Sequence, residues 1–355
     1  MKITAQARKD KDMKSVGILT LYRVRNLGAC LQAMATKRVI EEQGNEAIFI
    51  RAYGIKMSWN LFRGDMGKIR PWNIPFLIEK DLKFRSFFKQ YKEITLDKIN
   101  DVDGVVVGSD SIWISGYGNC TIPDCFFGNV NCDNIRAYAP SVGGSYDLRN
   151  YKKINLSYLD RIKTITVRDE LTKKFVQDCT GQCAKIVLDP TLLVNWNDIA
   201  KKHTPKERKK YIAIYGPVPL DILSEIKRFS LEKECKLINL GAFNRRLRDN
   251  RAVDPYEFIG YISGAEYVFT SMFHGVLICL SLNKEFKYMP IMKNRTEKLQ
   301  SVFKKMELGE DIIYDNCLDN QGTFVWKNAL DYTNINNILK IERRRTKEMF
   351  KEWFG

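Results

Sequence analysis

The strongest constraint on how this chain folds is the alternation of short apolar runs with helix-patterned segments along most of its length. Val16-Gly17-Ile18-Leu19-Thr20-Leu21 reads as a buried strand. Leu27, Leu31, Met34, Ala35 and Val39 then share one face of a helix expected from about Asn26 to Gln43 and stopped by Gly44. More strands are expected at Ala47–Ile50, Gly104–Val107, Arg136–Ala139, Ile162–Val167 and Ala184–Leu188, with a helix from Asp169 to Val176. A second set runs through strand Tyr211–Tyr215, helix Leu220–Glu234, strand Lys236–Leu240, helix Pro255–Ile262, strand Glu266–Thr270, helix Phe273–Leu282 and strand Phe286–Met289. Strands this uniformly apolar, separated by helices, belong in parallel sheets covered on both faces, so two sets predict two doubly wound α/β domains.

A length of 355 residues also favours two domains. The expected divisions are a disordered lead-in at 1–13, an N-terminal Rossmann-like domain at 14–200, a linker at 201–210, a C-terminal Rossmann-like domain at 211–333, and a charged C-terminal helix at 334–355. The stretch from about 53 to 100 is rich in aromatics and charge and contains Pro71 and Pro75. It reads as an insertion with short helices, one of them around Asp81 to Tyr91. The linker is read from Lys201-Lys202-His203-Thr204-Pro205-Lys206-Glu207-Arg208-Lys209-Lys210, where His203 is expected to be solvated.

Several classes drop out. The longest apolar stretch, Tyr267 to Leu282, is interrupted by Thr270, Ser271 and His274 and falls short of the roughly 20 residues a bilayer span needs. Met1 to Asp12 is polar and charged, without the apolar core of a secretory signal, which leads to the expectation of a cytoplasmic protein. The cysteine count is odd, at nine, and no CxxC pair occurs, so reduced thiols and no zinc site are expected. The formal charge of +16 attracts anions. Arg245-Arg246-Leu247-Arg248 and Arg343-Arg344-Arg345-Thr346-Lys347 are local basic runs, but no nucleic-acid-binding motif accompanies them, so no nucleic-acid partner is expected.

Ligands of open α/β sheets bind beyond the carboxyl ends of the strands, and the polar residues collect there. Asn26 and Gly28 follow the first strand; Gly108-Ser109-Asp110-Ser111, Pro140-Ser141-Val142-Gly143-Gly144, Arg168-Asp169-Glu170 and Asp189-Pro190-Thr191 follow others. Singly, each has a structural explanation: a helix cap for Ser109-Asp110, a turn plus cap for Asp189-Pro190-Thr191, a flexible turn for Gly143-Gly144, a surface ion pair for Arg168. Their shared address points to a cleft between two sheets. Only two histidines occur, and His274 lies in Ser271-Met272-Phe273-His274-Gly275, a strand-to-helix turn. A hydrogen-bonded core histidine is the plain alternative there. A helix N-terminus favours an anion, and Gly275 permits close ligand approach.

From about residue 16 to 290 these motifs, in this order, resemble the polysaccharide pyruvyl transferase family. They are Asn26-Leu27-Gly28-Ala29-Cys30-Leu31-Gln32, Gly108-Ser109-Asp110-Ser111-Ile112-Trp113, Tyr138-Ala139-Pro140-Ser141-Val142-Gly143, Thr166-Val167-Arg168-Asp169, Asp189-Pro190-Thr191-Leu192-Leu193 and Ser271 to Gly275. The chain departs from the family's pattern at Leu27, at Arg23-Val24-Arg25 and in the 53–100 segment. The resemblance implies a glycosyltransferase-B-like pair of Rossmann-type domains, with the last helix often returning to the first domain. It also implies transfer of pyruvate from phosphoenolpyruvate onto two hydroxyls of a sugar to give a ketal. His274 and Arg168 would be catalytic; Arg168, Ser271, His274 and Gly275 would hold the donor; Asn26, Ser109, Asp110 and Asp169 are acceptor-side or secondary candidates. No metal or cofactor is implied beyond phosphoenolpyruvate as co-substrate. The acceptor would be a sugar or lipid-linked glycan of a capsule or exopolysaccharide pathway, met at the inner face of the membrane by peripheral association. The alternatives are a nucleotide-sugar glycosyltransferase of the same fold and a non-catalytic scaffold in glycan assembly.

Overall fold

The computed structural model describes residues 13–52, 54, 57, 69–117, 120–291, 293–326 and 330–355; the lead-in expected at 1–13 falls almost wholly outside them. The first half supplies strands β1 (Ser15–Leu19), β2 (Glu46–Arg51), β3 (Glu93–Thr95), β4 (Gly104–Val107), a hairpin of β5 (Gly116–Tyr117) with β6 (Cys120–Thr121), then β7 (Ile135–Ala137), β8 (Thr164–Val167) and β9 (Lys185–Ile186). All but the hairpin form one seven-stranded parallel sheet in the order β3-β2-β1-β4-β7-β8-β9. The second half supplies β10 (Tyr211–Tyr215), β11 (Lys236–Leu240), β12 (Asn250–Arg251), β13 (Tyr267–Thr270) and β14 (Phe286–Tyr288). They form a parallel sheet in the order β12-β11-β10-β13-β14. Both orders run outward from the first strand and then reverse to its other side. Each sheet therefore has a topological switch point, between β1 and β4 in one and between β10 and β13 in the other, where a crevice opens.

Local sequence explains the elements around these crevices. Helix α1 (Leu27–Glu41) starts because Asn26 Oδ1 accepts from the Gly28 and Ala29 amides at 3.0 and 3.3 Å, a cap worth about 1 kcal/mol. Its first ten residues are all buried, wedged between the two sheets. One apolar cluster runs from Leu31 and Tyr138 through Leu192 and Trp196 to Tyr215, Ile259 and Leu277, joining both halves. Trp196 donates its indole N–H to the Thr191 carbonyl at 2.8 Å, so its burial leaves no orphaned donor.

The 53–100 segment holds short 3-10 helices at Pro71–Asn73 and from Leu96 onward, together with elements that the sequence reading did not foresee. Residues 53, 55–56 and 58–68 lie outside the described residues, but the remainder contains α2 (Ile74–Phe88), a full fifteen residues, and the edge strand β3. Pro75 begins α2 rather than breaking it, since proline is tolerated in a first turn. β3 escaped the sequence reading because three residues with two exposed or half-exposed polar ends carry no apolar run. Helix α2 reaches the second half: Lys83 Nζ bonds Glu257 at 2.9 Å, and Phe87 meets Tyr256 edge-on at 5.4 Å.

In the second half and the stretch leading into it, α3 (Glu170–Thr180) and α4 (Asn197–His203) precede β10. They are followed by α5 (Leu220–Glu232), α6 (Pro255–Gly264), α7 (Phe273–Ser281), α8 (Lys293–Lys305) and α9 (Tyr332–Phe354). Lys201 to His203 thus end a helix. His203 is half-buried rather than fully solvated, its ring stacked on Tyr256 at 5.3 Å. The cause is the tight seating of α4 on α6: a Cβ at Gly260 would meet the His203 carbonyl oxygen at 1.9 Å. Helix α9 returns to the first sheet, where Phe350 packs edge-on against Tyr138 at 5.2 Å and Arg343 donates to the Leu192 carbonyl at 3.0 Å. No described helix is long and apolar enough to cross a membrane.

Candidate active site

Arg168 leaves the end of β8 and His274 sits in the first turn of α7 after β13, yet both converge on one carboxylate. Asp189 Oδ2 lies 3.0 Å from Arg168 Nη1 and 3.7 Å from His274 Nε2, and accepts from Ser109 Oγ at 3.2 Å. The other oxygen, Oδ1, accepts from the Thr191 amide at 3.0 Å. The cap read from Asp-Pro-Thr is therefore real, but it occupies only half of the carboxylate. Asp189 is fully buried, and burial alone would raise its pKa. The His274 imidazole and the Arg168 guanidinium outweigh that and hold the carboxyl well below the ordinary carboxylate range.

The sign of the resulting pH dependence follows. An acid whose pKa is depressed on folding contributes stability that is present above its unfolded value and is lost as pH falls through the folded one. Asp189→Asn is therefore expected to lower the thermal unfolding midpoint at every pH between about 5 and 8. The gap to the parent should begin to close only below about pH 4, the unfolded carboxylate value. A gap that closes already near pH 6 would contradict this.

Arg168 is 6% exposed. Its Nη2 donates to Ser111 Oγ at 3.2 Å and lies 3.9 Å from Asp110 Oδ1, while the Phe273 ring stacks over its guanidinium at 4.9 Å. Arg168 Nε and His274 Nε2 are buried with no hydrogen-bond partner among the described residues, so the site keeps unused polar capacity. His274 is held from the other side by Gly28, where a Cβ would meet its Nδ1 at 2.3 Å; only glycine leaves room for the ring. Gly275 and Gly216 are equally forced, by Thr270 Oγ1 at 2.1 Å and Ser271 Oγ at 2.4 Å.

A cavity of about 230 Å³ is lined by Asn26, Gly28, Asp110, Ser111, Arg168, Tyr215, Phe273, His274 and Lys298. It draws on the loops after β1, β4, β8 and β13, so the switch points of the two sheets face each other across it. A larger cavity of about 780 Å³ shares Lys298 and is lined by Gly143, Gly144, Ser145, Tyr146, Asp169, Glu170, Gln300, Ser301 and Lys304, among others.

The other expected residues divide. Asn26 lines the small cavity but spends its side chain on capping α1. Ser109 is fully buried beneath the pocket, donating to the Ala139 carbonyl or to Asp189. Asp169 caps α3, accepting from the Thr172 amide at 2.7 Å and from Ser141 Oγ at 2.8 Å. Ser271 donates to the Pro217 carbonyl at 2.9 Å and so fixes the turn that presents His274. Trp113, which closes the Gly-Ser-Asp motif, is a core residue that donates to the Phe126 carbonyl at 2.7 Å. Sequence reading passed over Asp189 as a charge, Phe273 as a stacking ring, Gly28 as a histidine seat, and Lys298. Only the Asp-Pro-Thr and Asn-Leu-Gly motifs held a signal for the first and third. Among the described residues no group of His, Cys, Asp and Glu could hold a metal ion.

Two Rossmann-like domains enclosing a polar cleft, with the last helix returned to the first, make this a protein of the glycosyltransferase-B-like architecture. The chain belongs to the polysaccharide pyruvyl transferase family, whose model matches residues 26–286. Among solved structures it is similar to an alpha-glucosyltransferase (AGT) in complex with UDP, at 8% identity and TM-score 0.50, covering 96% of this chain and 95% of that one. It is also similar to a UDP-GlcNAc 2-epimerase from Neisseria meningitidis bound to UDP-GlcNAc, at 10% identity and TM-score 0.46, covering 97% and 96%. The glycosyltransferase SnogD from Streptomyces nogalater is a third, at 10% identity and TM-score 0.42, covering 97% and 100%. At such identities the likeness to the first is one of fold alone. No curated protein matches the chain in sequence.

Proposed function

We propose that the chain transfers pyruvate from phosphoenolpyruvate to two hydroxyls of one sugar in a cell-surface polysaccharide precursor, using the small cavity for the donor and the large one for the acceptor. The observation that carries this reading is the convergence of Arg168 and His274, from opposite sheets, on one buried carboxylate beside a shared cavity. The donor has a carboxylate and a phosphate, and the guanidinium fork, Lys298 and the first-turn amides of α7 supply positive potential for both. Asp189 and Phe273 keep the guanidinium in place, so the arginine is oriented before a ligand arrives.

The chemistry balances without a cofactor or metal. A proton delivered to the methylene carbon leaves the central carbon electron-poor, and a sugar hydroxyl adds there with loss of its own proton. The C–O bond to phosphate then breaks as the second hydroxyl attacks, and its proton leaves with inorganic phosphate. His274 is the group suited to carry a proton in these steps, since an imidazole nitrogen can accept one and give it back. Gly143, Gly144, Ser145 and Ser301, with the Glu170 carboxylate, offer the larger cavity hydrogen-bonding groups for a polyol. A lipid-linked acceptor in the cytoplasm fits the chain's positive charge.

Mass spectrometry of lipid-linked sugars incubated with phosphoenolpyruvate tests this reading: pyruvate addition with release of phosphate is expected. Transfer that instead requires a nucleotide sugar would overturn it. A second outcome checks the histidine's seat. Gly28→Ala should cut turnover by about a hundredfold, the order of loss expected for a misplacement near 1 Å, and lower the unfolding midpoint modestly through the overpacking against the ring. Unaltered turnover would show that the Gly28–His274 contact is not needed for the chemistry.

A further inference from the structure

We infer that the outward face of α2, with the arginine run at 245–248, is a docking surface for an anionic phospholipid membrane. Five of the eleven exposed large hydrophobic side chains among the described residues fall between positions 69 and 82: Ile69, Trp72, Ile74, Ile78 and Leu82, each between 42% and 61% exposed. Ile74, Ile78 and Leu82 are spaced four apart and so form one line along the helix. The opposite face of α2 is already committed, with Phe76, Leu77, Phe84, Phe87 and Phe88 buried. A surface helix normally turns polar residues outward; this one sets a line of three large apolar side chains among its exposed polar ones.

The rim of the stripe is positive and is assembled from both halves of the chain. Arg70 and Lys89 are exposed beside α2. The loop after β11 brings Arg245, Arg246 and Arg248, all exposed, with the Arg245 guanidinium over the Trp72 ring at 4.9 Å. Phe243 of the same loop packs edge-on against Phe76 at 5.7 Å and holds the two segments together. The carboxylates on α2 are matched locally: Glu79 pairs with Lys83 at 3.1 Å, and Asp81 pairs with Arg25 at 2.7 Å and Arg85 at 2.6 Å. An apolar line with an indole at one end and cations around it suits the boundary between headgroups and acyl chains. There the aliphatic side chains insert, tryptophan sits at headgroup level and arginine meets lipid phosphate. The same rim argues against a second copy of the chain, which would set like charge against like. The loop after β11 lies at the carboxyl edge of the sheet that also carries His274, so docking would bring the cleft toward the lipid surface. That suits a lipid-linked acceptor but does not depend on the donor reading above.

Sedimentation of the full chain with vesicles tests this, using equimolar phosphatidylglycerol and phosphatidylcholine against phosphatidylcholine alone. The parent should partition onto the anionic vesicles, and less so as salt is raised. Ile78→Glu with Leu82→Glu should weaken that at least about tenfold, and Arg245→Ala with Arg246→Ala should weaken it and flatten its salt dependence. These side chains are exposed, so both double variants should keep the parental unfolding midpoint. Absence of parental binding, or equal binding by Ile78→Glu/Leu82→Glu, would overturn the proposal. So would a parental dimer that the same variant dissociates without lipid, since the stripe would then be a self-interface. Pyruvyl transfer to a water-soluble sugar reports on the chemistry separately.

Discussion

His274→Ala is expected to lower turnover by about a hundredfold to ten-thousandfold, the usual loss when a positioned general acid or base is removed, while the circular dichroism spectrum stays parental. The side chain is 11% exposed and stands at a cavity wall, so truncation enlarges a space already present. The Arg168–Asp189 pair at 3.0 Å survives it, and Asp189 keeps a counter-charge. His203→Ala serves as the control. That ring stacks on Tyr256 where α4 meets α6, so its removal should cost a little stability and no turnover. Near-parental turnover in His274→Ala, measured at matched folding, would mean that the turn after β13 does not carry the proton. Loss of turnover in His203→Ala alone would place the chemistry elsewhere.

Arg168→Ala is expected to affect both stability and binding, and the two must be read separately. Removing the guanidinium takes its closest charged partner from a fully buried carboxylate. Breaking a buried pair from one side typically costs about 3–5 kcal/mol, which should appear as a fall of several degrees or more in the unfolding midpoint. Phosphoenolpyruvate, if it binds the native state alone as proposed, is expected to raise the parent's midpoint, and that rise should vanish in the variant as well. Arg168→Lys separates the two effects. An ammonium can keep the charge opposite Asp189 but not the planar fork, so this variant should recover much of the stability and little of the donor-induced shift. An Arg168→Ala protein as stable as the parent would mean that Asp189 does not depend on the arginine. A fully retained donor shift in Arg168→Lys would remove the fork from the binding account.

Periodicity alone carried the architecture. Continuous apolar runs such as Val105–Val107 and Ile212–Ile214 can be satisfied only inside a sheet covered on both faces, and the helix patterns between them force parallel connections. The central strands of both sheets, α1 and the turn before α7 were legible for that reason: each is fixed by neighbours within a few residues. Carboxyl-end loops pointed to the address of the candidate site, because strand polarity is set by the order of elements along the chain. Six motifs in order gave the family.

The partnerships needed the tertiary structure. Nothing local to Asp189 distinguishes the oxygen that caps a turn from the one that meets Arg168, 21 positions earlier, and His274, far later in the chain. Gly28 reads as an ordinary helix-start glycine until His274 arrives from the other sheet to occupy the space of its missing Cβ. His203 in a lysine-rich run reads as solvated, yet a close helix crossing at Gly260 presses it onto Tyr256. The segment before residue 100 reads as an insertion because its apolar residues face two ways. One set packs inward and a second stays outside, and only the packed chain shows which is which and that Arg245 stands over Trp72. Local propensity and pattern determine what each segment becomes. Which distant charges, rings and missing side chains meet is decided by how two sheets close on one helix, a geometry that no window of sequence contains.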